Sequence, residues 1–355
     1  MKERLFKFIQ KYLGWRNWAL FYYNSIIENI FLFFYIALVV PDYSNAFILK
    51  TLCFIGFSLL STTFGYLIND FADRELDRQH GKSNTFEEDS TARAIWVLLI
   101  VFGFSAIFAL PFWKERVFLL LWGLWVFIAT FYSLPPLRFK ERGKLGLVLV
   151  VLAQRVIPAL IVFAAFRFWR MPDVVVLLNY ILAKGFASDA NHQIQDYFND
   201  LKTGTRTSAV AMGIHRLEKY YRMILRYERI SLLIVMALIY VRFNTVTFVG
   251  IPLIHFLMAV FIIVFVLSWI MDIRYKGVID QINPFKPHTR DVFQFVHLAF
   301  PHVLLPFTLV LILIPKNFYY GGFLFILVAL YQVFRIEKLK SIIASWKEQL
   351  KAIKE

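Results

Sequence analysis

The stretch that decides the fold is residues 57–77, FSLLSTTFGYLINDFADRELD. Its first part is mostly apolar, whereas its last nine residues include Asp70, Asp73, Glu75 and Asp77. Carboxylates next to a membrane are costly unless a positive charge compensates them. The stretch therefore predicts a membrane helix that ends in a site for a cation.

The composition of the 355-residue chain is that of a membrane protein. Hydrophobic residues make up 59% and the mean hydropathy is +0.60, against about 45–50% apolar residues in a soluble domain. Apolar runs extend along the whole length, which predicts one domain over residues 1–355. The net charge of +15 is assigned to basic loops rather than to nucleic-acid binding, because Lys and Arg accumulate on the cytoplasmic side of membrane proteins. The single cysteine excludes an internal disulfide.

The apolar runs predict an all-α bundle of nine to ten transmembrane helices around a central cavity, with two Asp-rich cytoplasmic loops. One membrane crossing needs about 20 mostly apolar residues. The ten predicted spans are 17–40, 46–69, 94–113, 115–133, 145–166, 173–196, 224–241, 247–271, 292–314 and 318–334. The last part, 292–334, forms either one or two spans. Residues 1–16 and 335–355 are predicted to be basic ends on the cytoplasmic side.

Loop charge predicts the orientation of these spans. With the N-terminus inside, 30 Lys and Arg residues fall on the inner side and 7 on the outer side. This difference places both termini in the cytoplasm, at the plasma (inner) membrane if the organism is bacterial. It also favours ten spans, because nine would put the basic C-terminal end outside.

The first acidic cluster has a helical spacing. Asn69, Asp73 and Asp77 follow one another at intervals of four and form one stripe on a helix, with Asp70 beside it. The plainer interpretation is a set of solvated charges, because arginines alternate with the acids. A second cluster on the same predicted side makes this interpretation weaker.

The second cluster, SDANHQIQDYFNDLKTGTRT at 188–207, repeats the spacing. His192, Asp196 and Asp200 form a stripe, and Asp189 lies two turns before Asp196 on the same face. Oxygen-rich sites of this kind suit Mg²⁺, which typically takes one or two carboxylates together with waters and phosphate oxygens. Two stripes facing one cavity would hold more than one Mg²⁺ around a diphosphate.

These residues resemble the UbiA superfamily of intramembrane prenyltransferases over 17–271. The three signatures are NDxxDxxxD, DxxxD followed by Lys and Gly, and YSxPPxRxK. They are matched by Asn69, Asp70, Asp73 and Asp77; by Asp196, Asp200, Lys202 and Gly204; and by Tyr132, Ser133, Pro135, Pro136, Arg138 and Lys140. The chain departs from the family in a first loop without an Arg-Pro pair, in a tenth predicted helix, and in His192, where members often have Tyr.

The resemblance implies Mg²⁺-dependent transfer of a polyprenyl group from its diphosphate to an aromatic or lipid acceptor in the membrane. The implied catalytic residues are Asp73, Asp77, Asp196, Asp200 and Tyr132. The implied metal ligands are Asn69, Asp70, Asp73, Asp77, Asp189, Asp196 and Asp200. The candidate diphosphate partners are Lys140, Arg138, Lys82, Lys202, Arg155 and His192.

Two other functions remain open from the sequence. The same scaffold can transfer a phosphoribosyl group to a polyprenyl phosphate, although YSLPPLRFK disfavours this. A transporter or channel would use the intramembrane residues Glu28, Arg155, Lys184 and Asp189 as its path. The sequence contains no motif that specifies the acceptor, the prenyl chain length or the oligomeric state.

Overall fold

The computed structural model describes residues 2–14, 18, 20–21, 24–79, 81–204, 207–285, 291–331 and 336–354. Helices make up most of these residues, and no β-strand occurs among them. The predicted all-α class is confirmed.

The α-helices follow one another with short connections. They are α1 (Lys2–Tyr12), α2 (Ser25–Glu28), α3 (Phe31–Val39), α4 (Asn45–Gln79), α5 (Thr91–Ala109), α6 (Arg116–Ser133), α7 (Lys144–Val151), α8 (Ile157–Ala165), α9 (Met171–Thr203), α10 (Ser208–Met212), α11 (Ile214–Phe243), α12 (Leu253–Arg274), α13 (Ile279–Ile282), α14 (Val292–Gln294), α15 (Leu305–Leu313), α16 (Gly321–Tyr331) and α17 (Ile336–Lys354). Short π-helical segments, Leu152–Val156 and Phe295–Leu304, join α7 to α8 and α14 to α15.

Seven helices in the described part of the chain are long and apolar enough to cross a membrane. They are Asn45–Gln79, Thr91–Phe112, Arg116–Ser133, Lys144–Ala165, Met171–Lys202, Leu253–Arg274 and Val292–Leu313, and the shorter apolar helix Phe318–Tyr331 follows them. The chain is therefore an integral membrane protein. The arrangement of nine to ten spans stays a prediction.

The predicted span 17–40 is interrupted in its described part, so it is not a single continuous helix. Of this range, 17, 19, 22 and 23 lie outside the described residues, and a turn at 29–30 separates the short helix α2 from α3. Asn24 caps the start of α2, because its side-chain oxygen accepts hydrogen bonds from the backbone N–H groups of Ile26 (2.9 Å) and Ile27 (3.2 Å). Such a cap starts a new helix rather than continuing an old one.

The chain packs as two compact units. The first unit comprises Met1–Glu28, Leu49–Trp169 and Gly204–Ala211, and the second comprises Asn29–Ile48, Arg170–Thr203 and Met212–Glu355. The first acidic stripe and YSLPPLRFK belong to the first unit, and the second acidic stripe belongs to the second. The single domain over 1–355 stays a prediction.

Charged side chains inside the second unit are paired. Asp272 accepts hydrogen bonds from Arg226 (3.0 Å) and from the buried Arg229. His297 Nδ1 lies 2.9 Å from a carboxylate oxygen of Glu228, and both side chains are buried. Arg226, Glu228 and Arg229 interrupt the apolar sequence of α11. This helix is therefore not among the seven candidate spans, although the predicted span 224–241 lies within it.

Candidate active site

The first acidic stripe lies on a helical extension of α4. This helix has 35 residues and is therefore about 52 Å long, well beyond the hydrocarbon thickness of about 30 Å. Its end, residues 69–79, carries the motif, so the acids lie on a helix rather than in a loop. After Gln79 the chain turns, and the backbone N–H of Lys82 donates to the carbonyl oxygen of Asp77 (2.9 Å). Gly81 supplies the positive φ of +64° that the turn requires.

Within the first stripe, Asp73 contacts two basic side chains. It is buried, and its carboxylate accepts hydrogen bonds from Arg138 Nη2 (3.2 Å) and from Lys140 Nζ. Burial lowers the pKa of Lys140, although Asp73 acts in the opposite direction. Burial also acts to lower the pKa of Arg138, but Glu141 and Asp73 outweigh it and the pKa is raised. The structure thus brings two predicted diphosphate partners onto a predicted metal ligand.

Asp70 and Asp77 are held by the loop that follows α4. Thr85 donates from its hydroxyl (2.6 Å) and its backbone N–H (3.3 Å) to Asp70 Oδ2. Asn84 Nδ2 donates to Asp77 Oδ2 (2.8 Å) and to the carbonyl oxygen of Asp70 (2.8 Å). Sequence reasoning missed both loop residues. The only signal was the Ser-Asn-Thr run in place of the family's Arg-Pro pair.

The same loop is attached to α1 through Asp89. This buried carboxylate accepts a hydrogen bond from the Tyr12 hydroxyl (2.8 Å) and lies 2.9 Å from Lys11 Nζ and 3.4 Å from Arg93 Nε. Burial acts to raise the pKa of Asp89, but the bonds from Lys11 and Tyr12 outweigh it and the pKa is lowered. Burial, with the bond to Asp89, raises the pKa of Tyr12 to about 12. Both groups therefore keep their charge states at neutral pH.

Beside the first stripe, the first unit contains a cavity of about 260 Å³. Segments of α4, α6, α7 and α8 line it, together with residues just before and in α2. The lining residues are Asn24, Ser25, Ile26, Phe54, Phe57, Ser58, Ser61, Thr62, Gly65, Tyr66, Asn69, Trp122, Trp125, Ala129, Tyr132, Ser133, Val150, Ala153, Gln154, Pro158 and Ile161. The predicted residues Asn69 and Tyr132 are among them.

Hydrogen bonds fix the polar side chains of this cavity. Ser133 Oγ donates to Asn69 Oδ1, which orients the amide that begins the acidic stripe. Asn24 Nδ2 donates to Thr62 Oγ1 (2.9 Å). Trp125 Nε1 donates to the carbonyl oxygen of Ala153 (2.8 Å), within the π-helical segment Leu152–Val156. The cavity therefore combines fixed polar groups with an aromatic wall.

Arg155 lies in the same π-helical segment and forms a buried ion pair with Glu28. Its part in diphosphate binding remains a prediction. Lys82, another predicted partner, is exposed, and its backbone caps α4.

The second stripe lies on α9 in the second unit. Asp189 accepts a hydrogen bond from Gln193 (2.6 Å), and His192 Nδ1 lies 3.6 Å from Asp196 Oδ2. The side chains of His192 and Asp196 are 76% and 56% exposed. Asp200 is half-buried and Lys202 is exposed. Lys184, deeper on the same helix, contacts His302.

The carboxylate oxygens of the first stripe are of the type that Mg²⁺ binds. Among the described residues there is no preformed group of three or more His, Cys, Asp and Glu side chains of the kind that holds a metal by protein ligands alone. Mg²⁺ does not need such a group, because it usually binds through one or two carboxylates and completes its shell with waters and substrate phosphate. Asp73 and Asp77, four residues apart on α4, meet this requirement.

The helical membrane fold and the acids beside an aromatic cavity are features of a membrane-embedded enzyme. The family model for the UbiA prenyltransferase family matches residues 30–282. The chain belongs to this family, which confirms the resemblance found in the sequence.

A curated relative is the lycopene elongase/hydratase of Halobacterium salinarum, 30% identical over 172 residues. The match covers 47% of this chain and 59% of that protein, which is less than two thirds of the relative's length.

Two solved structures are similar in fold. The structure of a digeranylgeranylglyceryl phosphate synthase has a TM-score of 0.51 at 16% identity, covering 88% of this chain and 98% of that one. A UbiA homolog from Archaeoglobus fulgidus bound to DMAPP and Mg²⁺ has a TM-score of 0.49 at 17% identity, covering 81% and 99%. At this identity the likeness concerns the fold alone.

Proposed function

We propose that this prenyltransferase moves a prenyl group from its diphosphate, with Mg²⁺, to a lipid-soluble acceptor inside the membrane. The observation that carries the proposal is the environment of Asp73. This buried carboxylate contacts Arg138 and Lys140 and lies one turn after Asn69, which lines the cavity. Anion-binding cations, metal-binding oxygens and an aromatic cavity therefore meet at one end of α4.

The metal ligands in this proposal are Asn69, Asp70, Asp73 and Asp77 of the first stripe, and Asp189, Asp196 and Asp200 of the second. Bound Mg²⁺ would supply positive charge that makes the diphosphate a better leaving group. Asn84 holds the carboxylate of Asp77 in place, and Thr85 holds that of Asp70.

Arg138 and Lys140 are the proposed diphosphate partners from YSLPPLRFK. The planar guanidinium of Arg138 can make two parallel hydrogen bonds to phosphate oxygens, and Lys140 adds a point charge. Lys82, Lys202, Arg155 and His192 remain further candidates.

The cavity supplies the place for the apolar part of a substrate. Phe54, Phe57, Trp122 and Trp125 form an aromatic wall, whose ring faces attract positive charge that develops on an allylic carbon. Tyr132 lines the end of the cavity that also contains Asn69 and Ser133. We assign to Tyr132 the role of stabilising charge beside the diphosphate.

We propose a lipid rather than a water-soluble acceptor. The curated relative is named for action on lycopene, which is an apolar isoprenoid.

The proposed orientation has both termini in the cytoplasm, from the 30 basic residues on one side against 7 on the other.

The test is prenyl transfer by the purified full-length protein in lipid nanodiscs. Radiolabelled prenyl diphosphates of increasing chain length are offered with an apolar isoprenoid or an aromatic acid. We expect a labelled lipid product that EDTA and Asp73→Ala abolish. Glu75→Ala is the matched control, because Glu75 is an exposed acid on the same helix end, paired with Arg78 at 2.9 Å. Full turnover in Asp73→Ala would contradict the assignment, and transfer from phosphoribosyl diphosphate would favour the sugar-transfer alternative.

A further inference from the structure

The C-terminal helix α17 is attached to the beginning of a membrane-spanning helix. Gln349 Oε1 accepts a hydrogen bond from the backbone N–H of Val292 (3.0 Å), and the rings of Trp346 and Phe295 meet edge to face at 5.4 Å. Val292 is the first residue of the candidate span Val292–Leu313. The middle of α17 therefore lies beside the end of this candidate span.

A second face of α17 is apolar and exposed. Ile343 and Leu350 are 55% and 46% exposed, and they share a face because they are seven residues apart. At about 100° per residue, Ile343 and Leu350 lie about 60° and about 40° from Trp346, on the side away from Gln349, which packs on the protein.

Lysines border the exposed apolar face on its other side. Lys340, Lys347 and Lys351 are all exposed, and about 100° per residue places them 40–80° from Ile343. Beyond them comes the most polar edge of the helix, formed by Glu337, Ser341, Ala344 and Glu348. Around the helix, the apolar face is thus followed by a basic strip and then by an acidic edge.

We propose that α17 lies on the membrane surface and binds the headgroups of anionic lipids. A helix with this order of faces buries its apolar side between lipid chains and extends its lysines to the headgroups. Anionic headgroups attract each lysine near the surface, whereas the acidic edge has to face water. The attachment to Val292 holds α17 at the depth where these contacts are made.

The proposal is tested on the full-length chain in nanodiscs that hold one copy each. Cys53→Ser removes the natural thiol, and Ile343→Cys receives an environment-sensitive fluorophore. We expect emission to shift to shorter wavelength when anionic lipid is added to a zwitterionic bilayer. The triple change Lys340→Glu, Lys347→Glu and Lys351→Glu is expected to abolish the shift.

Two controls separate the possible outcomes. The triple change of the same lysines to Arg keeps the charge and should keep the shift. Ala344→Cys places the fluorophore on the polar edge and should give no shift. An equal shift in purely zwitterionic lipid, or no shift in any lipid, would overturn the proposal. A shift that appears only when two copies share a nanodisc would instead indicate a second copy of the chain as the partner.

Discussion

The two acidic stripes have the same spacing and very different surroundings. In the first, the Asp73 side chain is 12% exposed and contacts two basic residues, whereas in the second the Asp196 side chain is 56% exposed and its nearest basic partner is His192 at 3.6 Å. Spacing fixes which oxygens share a helix face, and the environment fixes how firmly they are held. The first stripe is organised by its own protein, and we expect the second to be ordered mainly by what it binds.

The largest expected effect comes from Asp73→Asn compared with Asp196→Asn. Both changes remove a proposed metal ligand, and we expect each to reduce prenyl transfer by about 100-fold or more. Only Asp73→Asn removes the carboxylate that pairs with the partly buried Lys140, so it should also destabilise the protein by about 2 kcal/mol. Activity and the thermal unfolding midpoint are measured in the same detergent. Equal unfolding midpoints for the two variants would remove the contrast between the stripes.

Thr85→Val tests whether the loop organises the first stripe. It removes the hydroxyl that donates to Asp70. Loss of a group that orients a metal ligand typically weakens metal binding by about 10–100-fold, so we expect the Mg²⁺ concentration for half-maximal activity to rise by about 10-fold or more. Ser83→Ala, an exposed change in the same loop, is the control. An unchanged Mg²⁺ dependence in Thr85→Val would show that the loop does not position the ligand.

Tyr12→Phe tests the attachment of this loop to α1. The change removes one hydrogen bond to Asp89 while Lys11 and Arg93 remain. We expect the loop to lose about 1 kcal/mol of local stability. This loss corresponds to about fivefold faster amide exchange in residues 81–90, which is measured by hydrogen–deuterium exchange. Tyr319→Phe changes an exposed tyrosine of the second unit and should leave that exchange unchanged. Unaltered exchange in Tyr12→Phe would mean that α1 does not hold the loop.

The smallest effect is expected for His192→Ala. An exposed pair at 3.6 Å contributes little, so the free energy of unfolding should change by less than about 0.5 kcal/mol. The denaturant midpoint is the measurement, and Asp196→Asn in the same assay is the companion variant. A large destabilisation would show that the second stripe is organised by the protein after all. Reduced activity with unchanged stability would support the proposed contact with diphosphate.

The sequence predicted those parts of the site that follow helix periodicity. The intervals of four placed Asn69, Asp73 and Asp77 correctly along α4, and YSLPPLRFK identified Arg138 and Lys140, which contact Asp73. Both depend on spacing within one helix or one short motif. Such spacing is visible in a single sequence.

The loop residues were not predictable in the same way. Asp89 reaches Tyr12 across 77 positions, and Asn84 and Thr85 lie in a loop without periodicity. Their roles depend on which distant element packs against them. The start of α2 after Asn24 did leave a signal, because polar residues interrupt the apolar run of 17–40, and their capping chemistry predicts a helix start.

The continuity of α4 sets the distance and the angle between the two halves of the site. Ser58, Thr62, Tyr66 and Asn69 line the cavity, and Asp73 follows four residues after Asn69 on the same helix. Separation along this rod is fixed by the rise of about 1.5 Å per residue, and direction by the rotation of about 100° per residue. One residue inserted between Tyr66 and Asn69 would turn the carboxylates by about 100° relative to the cavity. The helix therefore fixes both the distance and the rotation of the carboxylates relative to the cavity. It should tolerate substitutions far better than insertions.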